Sequence, residues 1–312
     1  MSPASPTVSK VEESLRAQRE AWHEISDRVF NSVSRELPIE APKRILLFGV
    51  GSSLFAAKLS GYALLRDKTR VRIPVISCAS NSIGVEVQPA KGDWVFAFSH
   101  RGGTVATLQA MEVCDRAGAF TILLAGQGVE PPGGARYVLA TCAPEKVEPH
   151  TISITSAICA VTTLMLGAKA VEEWDAVRSI GEPDLEMFRE RAGDGPSILL
   201  GEYEGEWLAR EGALKIMEMA KFPARSYATE EFFHGPRWAT TPKDKIWHIS
   251  HPKDARNAEL KPALQIGIFG ASPLAWIPAL VELQWLALAV ALNRGADPDA
   301  PPTKMAASNP QA

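Results

Sequence analysis

The sequence predicts an α/β protein built from two doubly wound α/β sandwiches with mostly parallel sheets. From residue 43 onward, short and continuously apolar runs alternate with segments of helical pattern. Strands of that kind are typical of a parallel sheet covered by helices on both faces. A second, shorter series of the same kind begins at residue 197. In both series a strand ends in glycine and a helix follows, which predicts a duplicated module.

The apolar pattern assigns each element of the first half. The predicted strands are RILLFGV (44–50), RIPVISCAS (72–80), DWVFAFS (93–99), FTILLAG (120–126) and RYVLATCA (136–143). The predicted helices are 52–67, 104–117 and 151–171. Because helices separate most of the strands, these elements form one α/β unit with parallel strands.

The second half predicts fewer elements in the same order. Its strands are 197–202, 224–228, 245–250 and 265–270, and its main helices are 205–222 and 273–293. An amphipathic helical pattern without a strand signal precedes both halves. The predicted division is an N-terminal tail and helix (1–40), a first subdomain (41–172), a linker (173–196), a second subdomain (197–304) and a C-terminal tail (305–312).

Composition limits the class of protein. With 46% hydrophobic residues, 22% charged residues and a net charge of −3, the chain predicts a soluble globular protein without a nucleic-acid or membrane partner. The four cysteines are scattered and the N-terminus lacks a signal-peptide pattern, so we expect reduced thiols and a cytoplasmic location. The apolar stretch 273–292 contains Glu282 and Gln284, which favours a helix buried in protein over a membrane span.

Two loops at predicted strand ends carry hydroxyl groups beside helix N-termini. Ser52 and Ser53 follow the first strand, and SHRGGT (99–104) follows the strand DWVFAF. Such groups either bind an anion or cap the helix. Because both strand ends would meet at the carboxyl edge of one sheet, together they favour a phosphate pocket. Leu54 stands where a dinucleotide fingerprint has its third glycine, so NAD binding is not expected.

Two further patterns could carry acid and base chemistry. Glu211, Lys215 and Glu218 have the i, i+4, i+7 spacing of one helical face. By spacing alone, a solvent-exposed face with Glu–Lys pairs is a simpler explanation than a catalytic site. His234, in EEFFHGPRW, is either a structural histidine or an acid or base beside a pocket. The other histidines have no metal-ligand spacing, and we expect no metal.

Taken together, these motifs resemble the double sugar-isomerase (SIS) domain family, including the isomerase domain of glucosamine-6-phosphate synthase. The motifs GVGSS, SHRGGT, E-x-x-E-P-H-T (145–151), EGALKIME (211–218) and HGP (234–236) occur in the order of that family, and the resemblance covers residues 40–304. It implies the SIS-type sandwich fold. The phosphate-binding or substrate-binding positions that it implies are Ser52, Ser53, Ser99, His100, Arg101, Thr104, Glu145 and Thr151.

The resemblance also implies catalytic roles. Glu218 corresponds to the base that moves a proton between C1 and C2 of the sugar, and Lys215 lies beside it in the same motif. His234 corresponds to the histidine that helps to open the ring, usually from the neighbouring subunit, so a homodimer is implied. Aldose–ketose exchange through an enediol needs a carboxylate, a second proton carrier and a phosphate anchor, and no metal or organic cofactor is expected.

Three departures from the family pattern bear on function. No glutaminase domain precedes residue 40, so we do not expect the glutamine-dependent amidotransferase reaction. Ala306 stands where the family has its C-terminal lysine, and Lys304, two residues earlier, is the candidate replacement. Arg101 replaces a small hydroxyl residue of the phosphate loop, where it either grips phosphate, fills the pocket, or turns outward to an acid such as Glu148.

The sequence therefore predicts a phosphosugar aldose–ketose isomerase that acts on a hexose or amino-sugar phosphate, with Glu218 as its base. Two alternatives stay open. One is a deglycase or deaminase of a fructosamine or glucosamine phosphate, which would release an amine or ammonia. The other is a sugar-phosphate sensor without catalysis.

Overall fold

Two parallel β-sheets form the centre of the computed structural model, which describes residues 8–37, 40–260, 264–268 and 270–301. The first sheet has the order β2-β1-β3-β4-β5 and the second has the order β7-β6-β8-β9. The strands of the first sheet are β1 (Arg44–Gly49), β2 (Val75–Ala79), β3 (Asp93–Phe98), β4 (Phe120–Ala125) and β5 (Tyr137–Ala140). Those of the second are β6 (Ser197–Gly201), β7 (Ala224–Ala228), β8 (Lys245–Ser250) and β9 (Leu264–Gly267).

Helices cover both faces of these sheets. In the first half they are α1 (Lys10–Arg28), α2 (Ser34–Glu36), α3 (Ser52–Arg66), α4 (Val105–Arg116), α5 (Ile152–Leu166) and α6 (Ala168–Arg178). In the second half they are α7 (Leu185–Ala192), α8 (Glu204–Ala220), α9 (Thr229–Phe233) and α10 (Ile277–Asn293). A π-helical turn, Val29–Val33, joins α1 to α2.

The predicted fold class is confirmed, and burial of both sheet faces explains the continuous apolar strands. On β1, Leu47 packs in the main hydrophobic core, which also contains residues of α3 and α5. Its neighbours Leu46 and Phe48 pack in a second cluster with Met111 of α4. Successive strand residues point to opposite faces, so both faces need apolar side chains.

The segment predicted as a linker, 173–196, contains helical structure. The predicted helix 151–171 ends at Leu166, because Gly167 adopts a positive φ of 61°, and α6 begins directly after it. Helix α7 also lies in this segment. Trp174 and Phe188 are fully buried, so apolar residues in a largely polar segment hold these helices on the core.

Helix α1 contacts both halves of the chain. The buried Gln18 side chain donates to Gln284 Oε1 of α10 at 3.0 Å and accepts from the Thr155 hydroxyl of α5 at 2.7 Å. At the start of α1, the backbone N–H groups of Lys10 and Val11 donate to the Asp299 carboxylate at 2.7 and 3.0 Å. The helix therefore connects elements on either side of α6 and α7.

Helix α10 confirms the prediction that the apolar stretch 273–292 is a helix buried in protein. Most of its residues are buried, and Gln284, which interrupts the stretch, has its amide bonded to Gln18. Within the described residues, no helix combines the length and apolar character that crossing a membrane requires.

The β1–α3 and β6–α8 turns, one in each half of the predicted duplication, share one packing requirement. A Cβ atom at Gly49 would lie 2.5 Å from the carbonyl carbon of Ser53, and one at Gly201 would lie 2.4 Å from the backbone of Gly205. Glycine thus lets each helix start directly against the end of its strand. In the first half this close approach positions the Ser52 and Ser53 side chains at the sheet edge.

Candidate functional site

A small cavity of about 30 Å³ lies at the carboxyl edge of the first sheet. Its polar lining comes from the start of α3, the β3–α4 loop and the segment that leads into α5. Strands β1 and β3 are neighbours whose helices pack on opposite faces, which is where open α/β sheets bind ligands. The polar residues that line the cavity are Ser52, Ser53, Ser99, His100, Thr141, His150 and Ser153.

The β3–α4 loop closes on itself rather than presenting all of its polar groups to this cavity. The Ser99 hydroxyl donates to Thr104 Oγ1 at 3.1 Å, and the Gly102 N–H donates to the Ser99 carbonyl at 2.8 Å. Thr104 is exposed, whereas Ser99 is buried and lines the cavity. Of the residues predicted in this loop, the structure therefore brings Ser99 and His100 to the cavity.

Arg101 turns outward. Its guanidinium donates to the Glu148 carboxylate at 3.1 Å, and the two side chains are 56% and 52% exposed. Of the three arrangements that the sequence left open for Arg101, the outward pairing with Glu148 is the one observed.

Replacing Arg101 by serine is expected to change the Kd of inorganic phosphate less than about fivefold, because the exposed guanidinium is bonded to Glu148 and does not line the cavity, so that it acts on the anion only through solvent-screened charge. Isothermal titration calorimetry on the wild-type and Arg101→Ser proteins measures this difference. A loss of affinity of about fiftyfold or more would instead mean that the guanidinium turns inward and grips the bound anion.

Glu145 and Thr151 hold the start of α5. The Glu145 carboxylate accepts hydrogen bonds from the backbone N–H groups of Thr151 (2.8 Å), Ile152 (3.3 Å) and Ser153 (3.1 Å). It also accepts from the hydroxyls of Thr151 and Ser153. A carboxylate at a helix N-terminus satisfies the free N–H groups and the helix dipole. The structure thus gives these two predicted substrate-binding residues a helix-capping contact.

His150 is a site residue that the sequence reasoning missed. Its ring lies edge-on to His100, with 5.2 Å between the ring centroids and 77° between the planes. Both rings line the cavity. His100 Nδ1, His150 Nε2 and the Ser52 hydroxyl are buried without a hydrogen-bond partner. The one signal in the sequence was the place of His150 directly before Thr151 in the E-x-x-E-P-H-T motif.

The stripe on α8 is a buried charge cluster rather than a solvated face. The side chains of Glu211 and Lys215 are 0% and 1% exposed. Lys215 Nζ lies 2.5 Å from Glu218 Oε2 and 3.6 Å from Glu211 Oε1. Helix α8 packs between α3 and α10, and this packing removes its central face from solvent. The solvated-face interpretation is therefore wrong.

Burial and mutual attraction set the ionisation of this cluster. Burial raises the pKa of the Glu211 carboxyl to about 7, against the opposing effect of the Lys215 charge. Burial alone would lower the pKa of Lys215, but the nearby carboxylates of Glu211 and Glu218 raise it above its ordinary value. One ammonium group is therefore held between two carboxyl groups away from water.

Glu218 is the member of the cluster that reaches solvent, with 30% of its side chain exposed. It lines a cleft of about 310 Å³ together with Glu148, Pro149, Met217 and Lys221. Because Glu148 and Pro149 precede His150 in the chain, the segment 148–150 borders both this cleft and the small cavity. Adjacent residues of one segment, Pro149 and His150, thus line the cleft beside Glu218 and the small cavity respectively.

His234 does not join this site within one chain. Its side chain is 74% exposed and contacts Glu230 Oε1 at 3.0 Å. The Glu230 N–H in turn donates to Glu202, two residues before the start of α8. Glu218 lies at the other end of α8, and the helix from Glu204 to Glu218 is about 21 Å long.

Lys304 and Ala306 lie outside the described residues. The carbonyl of Ala300 accepts a hydrogen bond from Lys221, which lines the cleft beside Glu218, at 2.9 Å. In the part of the chain that the structure describes, no group of three or more His, Cys, Asp or Glu side chains is arranged to hold a metal ion. The four cysteines are buried and are not paired with one another.

Comparison with known proteins agrees with this architecture. The chain is similar to tagatose-6-phosphate ketose/aldose isomerase from Escherichia coli, with a TM-score of 0.74 and 17% identity over 96% of this chain and 97% of that one. It is also similar to glucosamine-6-phosphate deaminase from Thermotoga maritima, with a TM-score of 0.72 and 17% identity over 94% and 98% of the two chains. The chain has the double SIS fold.

The similarity extends to sequence. The chain is 24% identical to the glutamine–fructose-6-phosphate aminotransferase (isomerizing) of Leifsonia xyli subsp. xyli, over 83% of its own length and 50% of that relative. It therefore spans about half the length of the curated relative that it matches. No protein-family profile matches the chain.

Proposed function

We propose that the protein is a phosphosugar isomerase that interconverts an aldose and a ketose phosphate, with a hexose or amino-sugar phosphate as substrate. The observation that carries this proposal is the position of Glu218. It is the solvent-reaching carboxylate of a buried charge cluster, and it borders a cleft that adjoins a polar cavity. The similar E. coli and T. maritima proteins, which are named for sugar phosphates, support the same class of substrate.

In the proposed reaction, Glu218 removes the proton from the carbon next to the carbonyl and returns it to the neighbouring carbon. Lys215 binds Oε2 of this carboxylate and fixes its position, so that Oε1 can face the substrate. The intermediate is an enediol, or an enediolamine for an amino sugar. The phosphate binds in the polar cavity and supplies binding energy remote from the reacting carbons.

The unpartnered polar atoms support this place for the phosphate. Buried polar groups are nearly always hydrogen-bonded, yet one nitrogen each of His100 and His150 is not. A phosphate group would provide an acceptor for each of them. The cavity, at about 30 Å³, has room for only about two water molecules, so the surrounding side chains must move when the anion enters.

We further propose a homodimer with active sites near the subunit interface, because one chain keeps His234 far from Glu218. A second copy would then supply His234 to open the sugar ring next to Glu218. Lys304 stays a predicted member of the site, and the cytoplasmic location stays a prediction that rests on the four unpaired cysteines.

An amine-releasing reaction on the same site is the second candidate. The fold similarity to a glucosamine-6-phosphate deaminase favours it. The same base would shift a proton in a sugar phosphate with an amino substituent to give an imine, and water would hydrolyse this imine to a carbonyl compound with release of ammonia or an amine.

The purified protein should therefore be incubated with hexose 6-phosphates, glucosamine 6-phosphate and fructosamine 6-phosphate, with the unphosphorylated sugars as controls. NMR follows aldose–ketose conversion and a coupled assay follows amine release. We expect turnover of at least one phosphorylated sugar, and a thermal shift, since a ligand at a hundred times its Kd adds about 2.7 kcal/mol of stability. Tight binding without turnover across this panel would contradict the enzyme and favour a sensor.

A further inference from the structure

We infer that His100 and His150 together hold the phosphate of the ligand, and that anion binding is coupled to the uptake of a proton by this histidine pair. This inference rests on the proposed function, since it concerns the phosphate cavity of the same site. In this chain imidazole groups would thus bind the phosphate, which hydroxyl groups bind in the family that the motifs resemble.

The contacts of His100 fix its ring. The N–H of Glu145 donates to His100 Nε2 at 3.3 Å, which makes Nε2 an acceptor and leaves the proton of the neutral ring on Nδ1. Gly126 leaves space for the ring, because a Cβ atom there would lie 2.8 Å from His100 Cε1. The buried Nδ1–H group has no acceptor. The ring lines the cavity, and its Nδ1–H group is a donor beside Gly126 that the folded chain leaves unsatisfied.

His150 completes the pair from the opposite side. It comes from the segment before α5, whereas His100 comes from the β3–α4 loop, and the two rings meet edge to face. Its Nε2 is also buried without a partner. Two converging imidazoles from separate elements, each with one unsatisfied nitrogen, are an unexpected feature of a cavity this small unless a ligand enters it.

The charges around the pair indicate how it responds to an anion. His100 faces His150, Glu145 and Arg101, while His150 also faces Lys215 and Glu218 on α8. The two cations are already engaged, Arg101 by Glu148 and Lys215 by the carboxylates of α8.

Burial keeps both rings neutral near pH 7 while the cavity holds no anion. Burial and the neighbouring His150 lower the pKa of His100 to about 4, and burial also lowers the pKa of His150. A dianion placed against these rings favours their charged form and raises the pKa of the pair. Binding therefore takes up a proton, and affinity rises as the pH falls.

Sulfate is the probe that isolates this effect, because its own charge is constant across the neutral pH range. Calorimetric titration of the wild-type protein from about pH 8 down to about pH 6 should show the Kd of sulfate falling by up to about tenfold per pH unit for one proton taken up. Inorganic phosphate, titrated in parallel, shows whether the same site accepts the phosphate group.

Two sets of variants distinguish the contribution of the histidine hydrogen bonds to sulfate affinity from the contribution of proton uptake. The double variant His100→Asn/His150→Gln keeps a nitrogen donor near each unsatisfied position but has no imidazole to titrate, so its Kd for sulfate should depend on pH much less than that of the wild type. His100→Leu and His150→Leu remove the donor and should weaken sulfate binding by at least about tenfold at every pH. His23→Asn, on the exposed face of α1, is the matched control and should keep the wild-type pH dependence.

The inference is overturned if the double variant retains the wild-type pH dependence, or if the leucine variants bind sulfate as tightly as the wild type. Thermal unfolding shows whether the leucine variants fold, and the double variant carries the test if they do not. If the protein turned over sugar phosphates but bound sulfate independently of pH, the inferred role of the histidine pair would be wrong and the proposed function would stand. The reverse result, pH-dependent sulfate binding without any turnover, would contradict only the proposed function.

Discussion

Replacing Glu218 by glutamine is expected to lower kcat for sugar-phosphate isomerisation by about 10²–10⁴-fold, the usual contribution of a positioned base. The amide has nearly the same size and can still accept the hydrogen bond of Lys215, but it cannot take a proton from carbon. KM should change little, because the phosphate cavity is unaltered. Steady-state kinetics, with loss of substrate deuterium from the carbon next to the carbonyl as a second readout, measures the effect.

Glu206→Gln on the same helix is the matched control. Glu206 is paired with Arg210 one turn away, and a pair of that kind contributes about 0.3–0.5 kcal/mol, so activity should be kept. Full activity of Glu218→Gln on the same substrate would show that Glu218 is not the base.

The same variant tests the proposed dimer. If His234 acts across the interface, a mixture of Glu218→Gln and His234→Asn chains forms hybrid dimers in which one site carries both changes and the other carries neither. Mixing equal amounts of two inactive proteins should then restore about a quarter of the wild-type activity, since half of the dimers are hybrids with one intact site each. No recovery after verified subunit exchange would mean that both residues act within one chain.

Replacing Lys215 by methionine is expected to lower the free energy of unfolding by about 3–5 kcal/mol near pH 8, because it leaves buried carboxylates without their cation. Glu211 is fully buried beside Lys215, and Glu218 loses its hydrogen-bond donor. Urea unfolding of the two proteins measures the difference. The exposed Lys68→Met removes the same charge and should change stability by less than about 0.5 kcal/mol.

The loss should be smaller at about pH 5.5 than at about pH 8. Burial raises the pKa of Glu211 to about 7 even with Lys215 present, and removal of the lysine charge raises it further. The folded variant therefore binds a proton that the unfolded chain has already released, so its stability falls as the pH rises. An equal loss at both pH values would mean that Lys215 stabilises the fold by packing rather than by charge.

The sequence predicted the sheets well for a physical reason. The central strands β1, β3, β4 and β6 are buried on both faces, so most of their residues are apolar without alternation. The strand predictions agree with the structure to within a few residues. The helical content of 173–196 was missed, because α7 has only eight residues and buries little more than Phe188 and Ala192. A segment so short and mostly polar has the composition of a linker.

The residues of the site were harder to assign from the sequence, because their roles depend on contacts between distant segments. The spacing of Glu211, Lys215 and Glu218 is the same on a solvated helix and on a buried one, and only the packing of α3 and α10 against α8 decides between them. The motif position of His150 did not indicate its partner, since His100 lies 50 residues earlier in the chain. The motif around His234 was clear, but the order of motifs along a chain does not say which copy completes a site.

The contacts of α1 have a consequence for folding. Through Gln18 this helix bonds to both α5 and α10, and its first N–H groups bind Asp299 beyond α10. Neither half can therefore lose its structure without exposing polar groups and apolar surface that the other half covers. Despite its two sheets, the chain is expected to denature as a single cooperative unit, so an anion bound at the first sheet should protect amide hydrogens of the second from exchange as well.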